Sequence, residues 1–164
     1  MDEIVAWGTL ALPAQHHAAW KASLVEPSRW SDWGKLDASL GTKPITVAKT
    51  ITEMEALGRQ KRGRLGFASI AITGSTIEVE ACFTTEPGYR MVLLGTLIRT
   101  AAELGGTGTL KLAAHADVMC FGGWDLTLSN GKSRFRALRG ADVTALKSDA
   151  RRAAIYQRYT GPLG

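Results

Sequence analysis

Two stretches of the chain alternate between apolar and polar positions on either side of a tight-turn signal, which is the pattern of a half-buried β-hairpin. In the first stretch, Gly74-Ser75 suits a two-residue type II′ turn. This turn pairs Ile70 with Val79 on the apolar face, and Ser69 with Glu80 on the other face. Because a slip of one residue would turn the apolar set toward water, turn and alternation together predict this register.

The second hairpin turns at Asn130-Gly131, a pair typical of the type I′ turn because both of its central residues need a positive φ. This turn places Leu126 opposite Phe135 on the apolar face. On the other face it places Asp125 opposite Arg136. Opposite charges in such a cross-strand pair support the same register.

Other segments show the spacing of apolar residues that is typical of helices. The expected helices are 13–25, with Trp20 and Leu24 on one face, 44–57, 87–104, and 142–159 with Asp142 as its cap and a break at Ser148-Asp149. Strand is the alternative for 44–57, because many of its residues are β-branched. In the third helix Arg99 and Glu103 are four residues apart, so we expect them to pair on its surface.

With strands at 4–12 and 107–115, the elements follow the order β-α-(α)-β-β-α-β-β-β-α. This order describes a single antiparallel sheet that contains both hairpins and is packed by helices. From the second helix onward it resembles the profilin and Roadblock type of sandwich, a likeness that concerns the fold and not the function. We therefore expect residues 1–164 to form one α+β domain.

Composition is that of an ordinary globular protein, since 45% of the residues are hydrophobic and 21% are charged, which excludes a disordered chain. No apolar stretch approaches the roughly 18 residues of a membrane span. The opening Met1-Asp2-Glu3 has the wrong charge sign for a secretory signal. Cys82 and Cys120 are too far apart for a C-x-x-C site. We expect a cytoplasmic protein with no membrane partner.

His115, Asp117 and Cys120 are of residue types that serve in catalysis or bind metals. In an extended segment His115 and Asp117 would lie about 7 Å apart on one face, so shared ligation would need a loop. His16 and His17 are adjacent on a helix, and at most one of them could face such a site. No G-x-S-x-G or H-E-x-x-H pattern is present. We expect no catalysis, cofactor or metal, and a small enzyme using these residues is the alternative.

Basic residues gather at 59–64 and 132–136, and the formal net charge is +5. These two surfaces could contact the phosphates of a nucleic acid, which is a second alternative. Against it, Asp125, Glu78 and Glu80 would neutralise the 132–136 stripe if the two hairpins adjoined. The charge pattern therefore does not favour a nucleic-acid partner.

Residues 26–34, hereafter the tryptophan segment, contain two tryptophans between a proline and a glycine and have no periodicity of their own. Trp and Arg are the residue types that dominate binding hot spots in protein interfaces. We expect this segment to bind a protein partner, and the alternative is that the tryptophans fold back over the core. The candidate partner-binding residues are Arg29, Trp30, Asp32, Trp33, Arg134 and Arg136.

The chain opens with Trp7-Gly8-Thr9-Leu10, continues with Trp20 and the pair Trp30 and Trp33, and passes from a helix through Gly105-Gly106 into a strand. In these features and in its length it resembles the small single-domain immunity proteins that bacteria use to neutralise a cognate toxin. The resemblance implies stoichiometric inhibition through an interface that buries about 1,600 Å² in total. The basic net charge departs from the acidic habit of immunity proteins that inhibit nucleases.

Overall fold

The computed structural model describes residues 3–34, 36, 44–57, 66–84, 86–114 and 122–160, which contain both helices and strands. In chain order they are β1 (Ile4–Ala11), α1 (His17–Ala22), β2 (Leu24–Val25), β3 (Ile45–Thr46), α2 (Val47–Leu57), β4 (Gly66–Thr73), β5 (Thr76–Phe83), α3 (Pro87–Glu103), β6 (Thr107–Ala114), β7 (Gly123–Ser129), β8 (Lys132–Ala137), α4 (Ala141–Lys147) and α5 (Ala150–Thr160). The α+β class and the break in the last helix are confirmed, and 44–57 is mainly helix. No helix among the described residues is both long and apolar enough to cross a membrane.

Six strands form one antiparallel sheet in the order β4-β5-β1-β6-β7-β8, and β2 pairs with β3 separately. The centre is occupied by β1, whose residues Ile4 to Gly8 are buried on both faces. Such two-sided burial is typical of a central strand. Each predicted hairpin therefore lies at one edge of the sheet, and the hairpins do not adjoin.

Both hairpins have the predicted registers. Ile70 lies opposite Val79 in the first hairpin, and Leu126 lies opposite Phe135 in the second. Gly74 has a φ of 59°, and both central residues of the Asn130-Gly131 turn have positive φ. These are the conformations that the two turn types require.

One face of the sheet packs against α3, together with α1 and α2, around the larger core. Trp20 is completely buried there, and its Nε1 donates to the Leu97 carbonyl of α3 at 2.8 Å. The predicted shared face of Trp20 and Leu24 is wrong. The helix ends before Ser23, which is extended, and Leu24 lies in β2 with 46% of its surface exposed.

The opposite face of the sheet packs against α4 and α5, around Trp7, Cys82 and other apolar residues. Burial, with the charge of Glu3, raises the pKa of the Cys82 thiol to about 12. The prediction of Asp142 as a cap is wrong, because Gly140 is the N-cap residue of α4 and Asp142 lies in its first turn. A carboxylate in the first turn still interacts favourably with the helix dipole.

Candidate binding site at the sheet edge

A buried arginine connects the tryptophan segment to the sheet. Arg99 lies in α3, and its side chain is only 1% exposed. Its two terminal nitrogens donate to the two carboxylate oxygens of Asp32 at 2.6 and 2.8 Å, and its Nε donates to the Ser133 hydroxyl at 2.8 Å. Bidentate pairs of this kind are among the strongest hydrogen-bonded contacts in proteins. Arg99 therefore fixes the position of Asp32 relative to both α3 and β8.

The predicted surface pair of Arg99 with Glu103 is wrong. From Met91 to Ala102 every residue of α3 except Leu93 is buried, so this part of the helix faces protein nearly all round. Arg99 turns inward, and the exposed Glu103 carboxylate pairs with Arg29 of the tryptophan segment instead. The sequence carried a signal for this, because a helix that is apolar on all sides is a buried helix.

Asp32 remains ionised at neutral pH although it is partly buried. Burial acts to raise the pKa of its carboxyl group, but the hydrogen bonds from Arg99 and from the Phe135 N–H, with the charge of Arg99, outweigh it. The pKa of Asp32 consequently lies below its ordinary value. The Phe135 N–H donates to Oδ2 of Asp32 at 3.1 Å.

These contacts cover part of the outer edge of β8. Ser129 and Lys132 close the two-residue turn as a hydrogen-bonded pair. Because hydrogen-bonded and non-bonded pairs alternate in an antiparallel ladder, the N–H and C=O groups of Ser133 and Phe135 point away from β7. Asp32 accepts from the Phe135 N–H, and Arg99 donates to the Ser133 carbonyl at 3.3 Å. An edge strand covered in this way is protected from pairing with another chain.

Trp33 belongs to the core. It is 3% exposed, its ring centroid lies 5.1 Å from that of Phe135, and its Nε1 donates to the Pro27 carbonyl at 2.9 Å. A Cβ atom at Gly95 of α3 would lie only 3.0 Å from the Trp33 ring, so this glycine makes room for the indole. For Trp33 the alternative interpretation, in which the tryptophan folds back over the core, is the one observed.

Trp30 is half-buried and lies between the core and the surface. The guanidinium carbons of Arg29 and Arg99 each lie 4.9 Å from its ring centroid, and that of Arg99 also lies 4.8 Å from the Trp33 ring. Cation–π contacts of this kind contribute about 0.5–1 kcal/mol each when exposed and about 2 when desolvated. Indole and guanidinium groups thus hold the tryptophan segment in one arrangement.

The last two candidate residues, Arg134 and Arg136, lie on the face of β8 opposite to that of Phe135. Arg136 pairs with Asp125 at 2.8 Å, whereas the exposed side chain of Arg134 has no ion pair or hydrogen bond among the described residues. Glu78 and Glu80 do not neutralise this face. They pair instead with arginines of α5, Arg151 at 3.8 and 3.6 Å and Arg158 at 2.7 Å.

The residues proposed for the alternative functions lie mainly outside the described part of the chain. This is so for His115, Asp117 and Cys120, and for the basic residues of 59–64. Of the remaining candidates, His17 has its Nε2 atom 2.8 Å from the Leu12 carbonyl oxygen. Within the described ranges, no group of three or more His, Cys, Asp or Glu side chains could hold a metal ion.

We use the name edge surface for strand β8 together with the six candidate residues, which are Arg29, Trp30, Asp32, Trp33, Arg134 and Arg136. Comparison with known proteins finds no matching family model and no similar curated protein. The half-buried indole of Trp30, the guanidinium groups of Arg29 and Arg99 and the exposed side chain of Arg134 lie at the edge surface.

Proposed function

We propose that the protein is a non-catalytic protein-binding domain, and specifically an immunity-type protein that neutralises a cognate bacterial toxin in the cytoplasm by stoichiometric binding. The observation that supports it is the meeting of two distant parts of the chain at the edge surface. Asp32 of the tryptophan segment and Phe135 of β8 are 103 positions apart, and a hydrogen bond of 3.1 Å joins them.

Contacts within the protein hold the Asp32 and Trp30 side chains of the edge surface in place before any partner arrives. Arg99 holds Asp32, and the guanidinium groups of Arg29 and Arg99 hold the Trp30 ring. Ordering a flexible side chain on binding costs about 0.5–1.5 kcal/mol. A surface that is ordered in advance avoids much of this cost, which suits an inhibitor that must bind tightly.

The charge of the edge surface favours an acidic partner. Arg134 and Lys132 are exposed on β8, and neither has an ion pair among the described residues. Exposed charges of one sign steer the encounter with a partner of the opposite sign and raise the association rate. Because Asp32 and Arg99 already cover part of the strand edge, we expect the partner to contact side chains and not to add a strand to β8.

Site-specific photocrosslinking in the native host tests this proposal. A photoreactive residue at Arg134 should give one dominant protein adduct. The same residue at Ala71, which is exposed on the opposite edge strand β4, should not give it. The purified partner should then bind in a one-to-one complex and lose its toxicity in cells that co-express the protein. Identical adducts from both positions, or a partner whose activity is unchanged in the complex, would contradict the proposal.

A charge reversal gives the matched quantitative test. Arg134→Glu should weaken the complex by at least tenfold, the loss expected for one charge-assisted contact. Lys49→Glu, an exposed reversal on α2, should leave the affinity within about twofold. A partner that proves to be nucleic acid, with affinity falling steeply as salt rises, would replace the proposal with the nucleic-acid alternative.

A further inference from the structure

A cavity of about 650 Å³ opens beside the edge surface, between the first turn of α3 and the end of β8. Aromatic rings form much of its wall, from Trp33, Trp124 and Phe135, and Ile4 and Leu36 add aliphatic surface. Small-molecule sites in proteins commonly measure about 300–1,000 Å³ and combine apolar walls with a few polar groups. The volume of this cavity lies within that range, and its walls are mainly apolar.

The charged side chains that line the cavity determine which charge a bound ligand would carry. Among the described lining residues Asp32 is the acid and Arg139 the base. The Asp32 carboxylate already receives hydrogen bonds from Arg99 and from the Phe135 N–H, so its charge is compensated within the protein. The exposed Arg139 side chain makes no ion pair or hydrogen bond among the described residues. Among the described residues that line the cavity, Arg139 therefore has a positive charge available to a ligand.

The arrangement of the rings favours a flat ligand. The Phe135 ring is tilted by 51° to that of Trp33, at 5.1 Å between centroids, and is nearly parallel to that of Trp124, at 6.4 Å. Trp33 and Phe135 are only 3% and 6% exposed, whereas Trp124 is half-buried. Trp124 therefore offers most of the aromatic surface for stacked or edge-to-face contacts with a ligand. We propose that this cavity binds a small aromatic carboxylate, with its ring system against Trp124 beside Trp33 and Phe135 and its carboxylate group on Arg139. This inference goes beyond the partner binding proposed above, and the cavity shares Asp32, Trp33 and Phe135 with the edge surface.

Paired probes that differ only in charge test the assignment. Naphthoate and its neutral isostere naphthamide would be titrated against the protein by calorimetry. We expect naphthoate to bind at one site and about tenfold more tightly than naphthamide, the difference expected for one charge-assisted hydrogen bond. Arg139→Gln should remove this difference while leaving the affinity for naphthamide within about twofold. Because Arg139 is exposed, this variant should fold normally.

A second pair of variants tests the location. Ala137 lines the cavity on β8, and Ala137→Trp should abolish the binding of both probes. Ala71→Trp, on the opposite edge strand, should bind them as the unmodified protein does. The inference is overturned if neither probe saturates the protein below its solubility limit, if the two probes bind equally well, or if Ala137→Trp and Ala71→Trp bind alike.

Discussion

Replacing Trp33 by alanine is expected to lower the free energy of unfolding by about 3–5 kcal/mol, the usual cost of deleting a buried tryptophan. The ring is 3% exposed and packs against Phe135 and Gly95, so its removal loses apolar burial and leaves a cavity. Trp30→Ala serves as the comparison. Its ring is only half-buried, so we expect a loss of about 1–2 kcal/mol.

Urea unfolding of the two variants measures this difference, and the slope of free energy against urea concentration should stay near that of the unmodified protein. Equal losses for both tryptophans would contradict the assignment of Trp33 to the core. Once a partner is identified, the affinity of the Trp30→Ala variant for it can be measured as well. This replacement should cost more in affinity than in stability, because the ring stays partly exposed at the edge surface.

Replacing Asp32 by alanine is expected to cost about 3–5 kcal/mol of stability, because it leaves the Arg99 cation buried without its carboxylate. The asymmetry of exposure supports this, since the Arg99 side chain is 1% exposed and that of Asp32 is 38% exposed. Removing Arg99 instead of Asp32 leaves a carboxylate that is partly exposed and that water can solvate. The double replacement Asp32→Ala with Arg99→Met should therefore be more stable than Asp32→Ala alone.

A double-mutant cycle checks this prediction. The two single replacements and the double replacement would be unfolded under one set of conditions, and the coupling energy should be at least about 1.5 kcal/mol. Arg136→Met with Asp125→Ala is the matched control, because that ion pair has an arginine that is 51% exposed. Exposed pairs contribute about 0–1 kcal/mol. A coupling at Asp32 no larger than the control would mean that the buried pair does not hold the segment.

Local signals explain which parts of the fold the sequence predicts correctly. Turn type and alternation lie within a dozen residues of Gly74 and of Asn130, and both hairpins have the expected registers. Local signals also explain the errors. The prediction that Arg99 pairs with Glu103 used the spacing within one helix alone. The position of α3 against the sheet instead decides the direction of the Arg99 side chain. The prediction that Leu24 shares a helix face with Trp20 is wrong because the extended residue Ser23 ends α1 before Leu24.

The candidate site could likewise be predicted only in part, because some of its contacts join distant parts of the chain. The residue types of the tryptophan segment predict a binding role, and no periodicity reveals that Trp33 faces the core. Asp32 reaches Arg99 and Phe135 across 67 and 103 positions of the chain, and a single sequence carries no pattern for contacts of that length. The cavity is likewise beyond sequence reasoning, since its walls come from segments that meet only in the folded protein.

The attachment of the tryptophan segment to the outer edge of β8 through Asp32 is the contact on which the proposed site depends. Hydrogen exchange at the Phe135 amide, resolved by NMR, measures that attachment most directly. This N–H points away from β7, and its acceptor among the described residues is the Asp32 carboxylate. The amides of Arg134 and Arg136 point toward the neighbouring strand. We expect the Phe135 amide to be protected to a degree similar to those two neighbours, and to lose that protection selectively in Asp32→Ala. A Phe135 amide that exchanges at the rate of an unstructured peptide, while Arg134 and Arg136 remain protected, would contradict the account.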